Sequence, residues 1–298
     1  MATPPTPLIE LARLAPCLYT KVEYQHPSGS MKHRSIPRFL RALLERGELR
    51  PRQTVAIHSA GAAAVTTAWA GAQLGLPVVA VLPPFATDTT VAALRWLGAS
   101  CHRVPPARGK ALMQDLGATP DVYVLAQARE PELIDHYRAV AAEVLEQLGD
   151  VAAITVGIGT GLSITGIARE VKDRGVATLV YGTEPAESAV ASGQPWAPHR
   201  IPGLAPPIPQ DLLEIDLLAG IEPVPSDEAW ECAQRVARGE GLLVGPSAGA
   251  TIAAALRLRA RGLAGPIVAV CACSMSEYLD MLPAEASQPP PAGAPGAR

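Results

Sequence analysis

The chain alternates between short apolar stretches and longer stretches with helical periodicity along most of its length. The stretch 77–82 is continuously apolar, which is typical of a strand buried in a parallel sheet. Residues 36–46 carry apolar side chains at helical spacing and end before a glycine. This alternation predicts an α/β fold with doubly wound parallel sheets, in which ligands bind at the carboxyl ends of the strands.

The same patterns give a prediction for each element. We predict strands at 18–24, 54–57, 77–82, 100–104, 122–126, 151–157, 178–182, 242–245 and 266–271, with a strand or turn at 7–11. We predict helices at 36–46, 65–74, 87–97, 110–116, 132–148, 163–174, 227–238 and 249–261. Ser226 is the expected N-cap of the helix at 227–238. Residues 193–209 are rich in proline and glycine and are predicted to form a long loop.

Composition excludes several classes of protein. The 298 residues are 48% hydrophobic and 18% charged, as in a globular protein, and the net charge is −3 without a basic run. This charge argues against a nucleic-acid or anionic-membrane surface. No apolar run has membrane-spanning length and the N-terminus lacks a signal pattern, so we expect a cytoplasmic protein. The five cysteines have no CxxC spacing, which predicts free buried thiols and no metal site.

A lysine follows the first predicted strand. The segment His26–Arg34, here called the lysine turn, places Lys32 among small and apolar residues between a strand and a helix. A lysine on a turn is most often a solvated charge. In an apolar pocket, however, desolvation lowers the pKa of the amine and makes it a Schiff-base nucleophile. The later motifs favour this second interpretation.

Two further strand-to-helix turns carry small residues. The glycine loop, Gly157–Gly166, precedes a helix and offers backbone N–H groups and hydroxyls, which predicts a phosphate site. A dinucleotide fingerprint requires glycine at 162, where the chain has leucine, so a nicotinamide dehydrogenase is a weak alternative. In the serine turn, Gly241–Ala250, Ser247 either caps a helix or donates one neutral hydrogen bond to a ligand.

Together these motifs resemble the cysteine synthase and cystathionine β-synthase family, which are fold type II pyridoxal-phosphate enzymes. Thr6–Leu8 resembles the family's TPL opening, and Pro27–Arg34 resembles PGGSVKDR. The segment 159–166 is similar to GTGGTITG, residues 184–188 read EPAES as in the family, and 241–250 is similar to GLLVGISSGA. The resemblance runs from about Thr6 to Asp280 and implies the tryptophan-synthase-β-like architecture of two doubly wound domains.

The resemblance also implies a role for particular residues. Lys32 corresponds to the catalytic lysine that forms the Schiff base with pyridoxal 5'-phosphate. The implied cofactor-binding residues are Lys32, Gly159, Thr160, Gly161, Ser163, Ser247 and Ala62. The implied substrate-binding residues are Ser59, Ala60, Gly61, Ala63 and Gln127. A homodimer is likewise implied. We expect a large domain of residues 1–34 and 146–283 and a smaller mobile domain of 35–145, and the composition of 284–298, rich in alanine, proline and glycine, predicts a disordered tail.

One departure from the family pattern stands out. The family's TSGNTG loop binds the substrate carboxylate, and the matching segment here is Ser59–Ala64, the alanine loop. Ala60, Ala62 and Ala63 replace a serine, an asparagine and a threonine, so three side-chain donors are lost. Elsewhere Ser28 replaces a glycine, His33 an aspartate and Leu162 a glycine, and the loop 203–208 has gained prolines. Ordinary O-acetylserine sulfhydrylase activity is therefore not expected.

Two functions follow from this pattern. The first is a pyridoxal-phosphate-dependent β-replacement or β-elimination on a serine- or cysteine-type amino acid, through an aminoacrylate, with altered substrate specificity and a place in specialised metabolism. The second is a catalytically silent homologue that acts as a binding or partner protein. Lys32 favours the first function and the alanine loop favours the second. The residues leave open the leaving group, the nucleophile and the pathway.

Overall fold

The computed structural model describes residues 4–282, which form two separate β-sheets with intervening helices. The strands are β1 Leu8–Glu10, β2 Leu18–Val22, β3 Thr54–His58, β4 Val78–Leu82, β5 Ser100–Arg103, β6 Val122–Leu125, β7 Ala153–Gly157, β8 Leu179–Pro185, β9 Gly220–Val224 and β10 Ile267–Cys271. The helices are α1 Ile36–Glu45, α2 Ala62–Leu74, α3 Asp88–Trp96, α4 Pro106–Gly117, α5 Glu132–Asp135, α6 Arg138–Leu148, α7 Leu162–Asp173, α8 Ser226–Glu240 and α9 Pro246–Ala260.

The larger sheet has the strand order β1-β2-β10-β7-β8-β9. All its neighbouring strands are parallel except β1, which pairs antiparallel with β2. The central strands β10 and β7 are almost entirely buried, as expected for a sheet covered on both faces. The carboxyl ends of β2, β10 and β7 therefore lie along one edge of this sheet.

The smaller sheet has the order β5-β4-β3-β6 and is entirely parallel. In the register of β3 and β6, Ile57 lies opposite Leu125, so the segments that follow these two strands leave the same edge. The α/β class with doubly wound parallel sheets is thus confirmed, with β1 as the one antiparallel strand among residues 4–282.

Glycines allow two pairs of helices to approach closely. An added Cβ at Gly249 of α9 would lie 2.0 Å from the carbonyl oxygen of Ala229 in α8. At Gly166 of α7 it would lie 2.3 Å from the carbonyl oxygen of Ile134 in α5. Neither contact tolerates a side chain, since real Cβ atoms need over 3 Å, so these glycines fix how α8, α9 and α7 pack.

Several predicted elements were wrong in their details. The single helix predicted at 132–148 is interrupted at His136–Tyr137, and the break brings Tyr137 against Gly166. The strand predicted at 242–245 is reduced to one bridge, between Val244 and Ser274. Pro246 follows it directly and has no N–H with which to extend a ladder.

Other differences concern ends and edges. Helix α2 begins three residues earlier than predicted, because alanine is the strongest helix former. Strand β9 was not predicted, since Pro223 interrupts its pattern, and it lies at the sheet edge where proline is tolerated. Ser226 is the first residue of α8 rather than its cap, and its hydroxyl accepts a hydrogen bond from the Arg200 N–H.

The cysteines are free as predicted, but not all are buried. Cys232, Cys271 and Cys273 are buried, whereas Cys17 is exposed. Among residues 4–282 no helix is both long and apolar enough to cross a membrane. The proposed domain limits, 1–34 with 146–283 and 35–145, stay a prediction, and the predicted tail 284–298 lies outside the described residues.

Candidate active site

The lysine turn leads from β2 into a single 3-10 turn, Met31–Arg34. The Ser30 hydroxyl accepts a hydrogen bond from the backbone N–H of Lys32 at 3.0 Å, which fixes the start of this turn. Lys32 is half-buried, and its Nζ lies 6.0 Å from the centroid of the Tyr137 ring. The amine thus projects over an aromatic face instead of into open solvent.

The lysine turn and the serine turn flank the same backbone segment, Ala272–Met275, which follows β10. On one side, the Met31 N–H donates to the Ala272 carbonyl at 3.0 Å. On the other, the Gly245 N–H donates to the Cys273 carbonyl, also at 3.0 Å. Two motifs more than 200 residues apart in sequence are therefore held together by one segment.

Ser247 is buried in the first turn of α9, two residues after Gly245, which occupies the cap position. It makes no capping hydrogen bond, so the capping interpretation of Ser247 is wrong. The second interpretation, a neutral hydrogen bond to a ligand, stays a prediction.

The glycine loop lies at the carboxyl end of β7 and is pressed against the segment 203–213. A Cβ on Gly159 would lie 2.6 Å from the Gly203 carbonyl oxygen, and one on Gly161 would lie 2.8 Å from the Cβ of Leu213. Gly161 also has a φ of +88°, which favours glycine. The Gln210 side chain donates to the Gly159 carbonyl at 2.7 Å. The loop is thus fixed by its packing.

Helix α7 begins at Leu162, so the unpaired N–H groups of its first turn belong to the glycine loop. Thr160 and Ser163 are buried beside them. Backbone donors, two hydroxyls and the positive end of a helix dipole are the donor set that fits a phosphate group. The structure brings Gly159, Thr160, Gly161 and Ser163 together as the sequence predicted.

The alanine loop lies at the carboxyl end of β3, and Gln127 begins a 3-10 turn just after the neighbouring β6. The two predicted substrate-binding segments therefore leave the same edge of the smaller sheet. Ser59 accepts only a long hydrogen bond, 3.5 Å, from the Gly61 N–H. Helix α2 starts at Ala62, so the donors of this loop are the backbone N–H groups of its first turn.

A hydrogen-bonded chain joins the lysine turn to α2. The Ser28 hydroxyl lies 3.2 Å from the Thr66 hydroxyl and 3.1 Å from Nδ1 of His33. The His33 ring also packs edge-on against Trp69, with 4.6 Å between ring centroids. Burial, reinforced by nearby cationic side chains, lowers the pKa of His33 to about 4, so this ring is neutral at physiological pH. Helix α2, which follows the alanine loop, is thereby held beside the lysine turn.

Tyr137, to which the sequence gave no role, connects Lys32 to the helix of the glycine loop. Its ring is fully buried and its phenolic oxygen accepts a hydrogen bond from Ser35 at 2.7 Å. Its Cβ lies against Gly166 of α7. No local pattern identifies this residue, because its partners come from two separate parts of the chain, at 32–35 and at 166.

A second group without a predicted role is Arg34, which is almost fully buried beneath the lysine turn. Its guanidinium binds Glu23 on one side and Glu143 on the other, with an Nη1–Oε1 distance of 2.7 Å to Glu143. Lys21 contacts the same Glu143 at 2.7 Å. Burial alone would raise the pKa of Glu23, but hydrogen bonds led by those from Arg34 lower it to about 2. This network anchors the turn that carries Lys32.

The family model of pyridoxal-phosphate dependent enzymes matches this chain over residues 1–273. Cysteine synthase 3 of Caenorhabditis elegans is 31% identical over 268 residues, which cover 86% of this chain and 80% of that protein. A probable cysteine synthase of Bacillus subtilis is 29% identical over 280 residues, which cover 89% of this chain and 90% of that protein.

Solved structures show the same similarity. An O-ureido-L-serine synthase superposes with a TM-score of 0.87 and 26% identity, covering 92% of this chain and 90% of that one. An O-acetylserine dependent cystathionine β-synthase of Helicobacter pylori superposes with a TM-score of 0.83 and 26% identity, covering 92% of this chain and 94% of that one. The chain therefore belongs to the fold type II pyridoxal-phosphate dependent enzymes, in the cysteine synthase and cystathionine β-synthase family. It is a cysteine-synthase-like enzyme, and its cofactor is pyridoxal 5'-phosphate.

Proposed function

We propose that this protein catalyses β-replacement on a serine- or cysteine-type amino acid, with β-elimination as the branch in which no second substrate adds. The observation that carries the proposal is the joining of the lysine turn and the serine turn by Ala272–Met275. It supports a single site that combines a primary amine, a neutral hydroxyl and, through Tyr137, a phosphate-binding loop.

We assign the cofactor contacts as follows. Gly159, Thr160, Gly161 and Ser163 would hold the phosphate through backbone N–H groups and hydroxyls. Ser247 would donate to the pyridine nitrogen, and the backbone of Ala62 would lie near the ring. When bound, pyridoxal phosphate supplies the electron sink that lets a β-substituent leave an amino acid. A neutral hydroxyl at Ser247 does not hold a full positive charge on the ring, which suits expulsion of a β-substituent.

Lys32 would bind the cofactor in the resting enzyme and move the α-proton of the amino acid once its Nζ is released. The Tyr137 ring beneath the amine and the hydrogen bond that the Lys32 backbone N–H donates to the Ser30 hydroxyl keep it directed into the site. Gln127 and the N–H groups at the start of α2 would bind the substrate carboxylate. Because the loop has lost three side-chain donors, we expect a weaker grip on that carboxylate than the family pattern provides.

This difference supports an altered substrate and a role in specialised metabolism. The relatives named above are cysteine synthases, an O-ureido-L-serine synthase and an O-acetylserine dependent cystathionine β-synthase. The names of these relatives differ in the product of the reaction. The shared fold therefore does not identify the leaving group or the nucleophile used by this chain, and both must be determined by experiment. A cytoplasmic homodimer stays our prediction, and light scattering on the purified protein measures its mass.

The test is the visible absorbance of the protein reconstituted with pyridoxal phosphate, recorded while amino acids are added one at a time. The set contains serine, O-acetylserine, O-phosphoserine, cysteine and several bulkier amino acids. We expect one of them to shift the band and to release its β-substituent. Lys32→Ala should abolish this turnover, whereas the matched control Lys172→Ala, on the exposed end of α7, should leave it unchanged.

A band that no amino acid shifts would contradict the proposal. A protein that binds no pyridoxal phosphate at all would also contradict it and would favour the silent homologue. Survival of turnover in Lys32→Ala would show that another group carries the chemistry.

A further inference from the structure

Glu277 is a half-buried acid that the proposed reaction does not use. It lies in the 3-10 turn Met275–Glu277, directly after the segment that joins the lysine and serine turns. Its Oε1 has no hydrogen-bond partner among residues 4–282. Burial raises the pKa of this carboxyl to about 7, although the Cys273 thiol and the Ser274 N–H partly offset the rise. Buried carboxylate oxygens are normally paired, so this one is exceptional.

Glu277 is one of the residues that line a cleft beside the candidate active site. The walls come from the lysine turn, the first turns of α2 and α3, and the turn that carries Glu277. Ser28, Thr89, Thr90 and Ser276 contribute hydroxyls, and Ala62 contributes the start of the alanine loop. Among the described residues that line it, none is a lysine or an arginine.

The groups around Glu277 do not supply a countercharge. Burial raises the pKa of the Cys271 and Cys273 thiols and of the Tyr278 hydroxyl, so all three are neutral at physiological pH. Burial likewise raises the pKa of Tyr24 in the cleft wall. His33, which is hydrogen-bonded to Ser28 in that wall, is neutral as described above. Lys32 lies close enough to Cys273 to oppose the rise in the pKa of that thiol, but it does not line the cleft.

We propose that Glu277 determines the specificity for the second substrate, by binding the N–H groups of a nucleophile that carries a cationic ammonium or guanidinium group. The inference rests on the proposed β-replacement and names the class of molecule that adds to the β-carbon. A cationic N–H group in the cleft provides both a hydrogen-bond donor and a charge opposite to that of the Glu277 carboxylate. An anionic nucleophile finds no cationic side chain in the lining and is repelled by Glu277.

The first test measures binding directly and does not depend on turnover. Methylguanidinium, which forms no imine, is titrated into the holoenzyme and followed by ligand-observed NMR, with acetate as the anionic probe. Wild type and the control Glu231→Gln, an exposed acid on α8, should bind methylguanidinium, and Glu277→Gln should bind it at least tenfold more weakly. Binding to wild type should weaken as pH falls from 8 to 6, because the carboxylate is protonated near pH 7. Equal affinity for methylguanidinium in Glu277→Gln would overturn the inference, whereas acetate, which the proposed carboxylate site at the start of α2 can bind, should bind Glu277→Gln at least as well as wild type.

The second test compares three thiols as nucleophiles: 2-mercaptoethylguanidine, 2-mercaptoethanol and 3-mercaptopropionate. Wild type should prefer the guanidinium thiol, and Glu277→Gln should lower its kcat/KM about tenfold while that for 2-mercaptoethanol stays within twofold. The absorbance shift with the amino acid alone should be unchanged in Glu277→Gln, which shows an intact first step. An unchanged preference would refute the role of Glu277 and leave the proposed function standing. If no amino acid shifts the absorbance band, the proposed function fails. The NMR titration with methylguanidinium then tests by itself whether Glu277 binds a cationic group.

Discussion

The glycine loop and the alanine loop share one local plan, because each connects a parallel strand to the start of a helix, yet they are held in opposite ways. Gly159 and Gly161 are pressed against the segment 203–213. Gly61, at the corresponding point of the alanine loop, has no atom within 4 Å of an added Cβ. One loop is fixed by its surroundings, whereas the other is open.

This difference separates the two tasks of the site. In the proposed site, a cofactor that is common to the whole family needs a rigid phosphate site, and the tight packing of the glycine loop would supply it. The names of the relatives differ in substrate or product, and the half-buried Ala60 and Ala62 can change their side chains at smaller cost in packing than the buried Ala63. In the proposed site, Ala60 and Ala62 therefore lie where the fold constrains the side chains less.

The largest expected effect concerns the base of the lysine turn. Arg34→Ala removes a partner of the buried Glu23 carboxylate and of the half-buried Glu143 carboxylate, which should cost about 3–5 kcal/mol of folding free energy. Arg50→Ala is the matched control, because its ion pair with Asp121 is exposed and should contribute only about 0–1 kcal/mol. Urea unfolding of both variants measures the difference. Equal losses of unfolding free energy in the two variants would show that the ion pairs of Arg34 do not stabilise the turn that carries Lys32.

Acid should weaken the same region. The pKa of Glu23 is about 2 in the folded protein against 4.5 for a free carboxyl, so its ionised form stabilises the fold above pH 4.5. That contribution, about 3 kcal/mol for such a shift, is lost as pH falls from 4.5 towards 2. Unfolding free energies measured from pH 7 to 3 should decline more steeply in wild type than in Glu23→Gln. If the unfolding free energies of wild type and Glu23→Gln declined equally with falling pH, the ion pair between Glu23 and Arg34 would not stabilise the fold.

The comparison itself is tested by a matched pair of glycine substitutions. Gly161→Ala forces a left-handed backbone on alanine and creates a clash with Leu213, so it should cost about 2–3 kcal/mol and weaken pyridoxal phosphate binding. Gly61→Ala should change the unfolding free energy by less than about 1 kcal/mol, since it meets open space. Thermal unfolding and a cofactor titration measure both effects. If Gly61→Ala lost as much unfolding free energy and cofactor affinity as Gly161→Ala, the contrast between a fixed glycine loop and an open alanine loop would be wrong.

Restoring a polar side chain to the alanine loop should strengthen the binding of small substrates. Ala62→Asn places the family's asparagine at the start of α2 and adds a donor that can pair with a carboxylate or the cofactor. One such hydrogen bond is worth about 1 kcal/mol, or roughly a fivefold tighter apparent affinity for small substrates such as O-acetylserine. Ala72→Asn, at the other end of the same helix, is the control. Weaker binding of small substrates in Ala62→Asn would indicate that the loop binds a different group.

The smallest expected effect is on the packing of the glycine loop. Gln210→Ala removes the side-chain hydrogen bond to the Gly159 carbonyl, worth about 1 kcal/mol. We expect a several-fold increase in the dissociation constant of pyridoxal phosphate, measured by fluorescence, with kcat unchanged once the cofactor is saturating. A change in kcat at saturation would mean that Gln210 contributes to more than the loop.

Local motifs were predictable because each lies within about ten residues of sequence. The lysine turn, the glycine loop and the serine turn all combine strand-breaking residues with a helix start. The structure places the glycine loop directly at the end of β7 and the lysine turn after β2 and one 3-10 turn, whereas the serine turn follows a single bridge instead of the predicted strand. Ser28 and His33 were visible only as two separate departures from the family pattern. The structure shows that they are neighbours in one chain of hydrogen bonds to Thr66, a relation that no local pattern reveals.

The sequence by itself determined the alternation of strands and helices, the order of the motifs and the identity of the cofactor. Tertiary structure alone decided which distant groups meet: Tyr137 between Lys32 and Gly166, Arg34 between Glu23 and Glu143, and Glu277 in the cleft beside Ala62. Helix and turn signals arise from neighbours along the chain, so they can be read in order. Burial and pairing of charges depend on contacts between residues up to about 200 positions apart, which only the packed fold brings together.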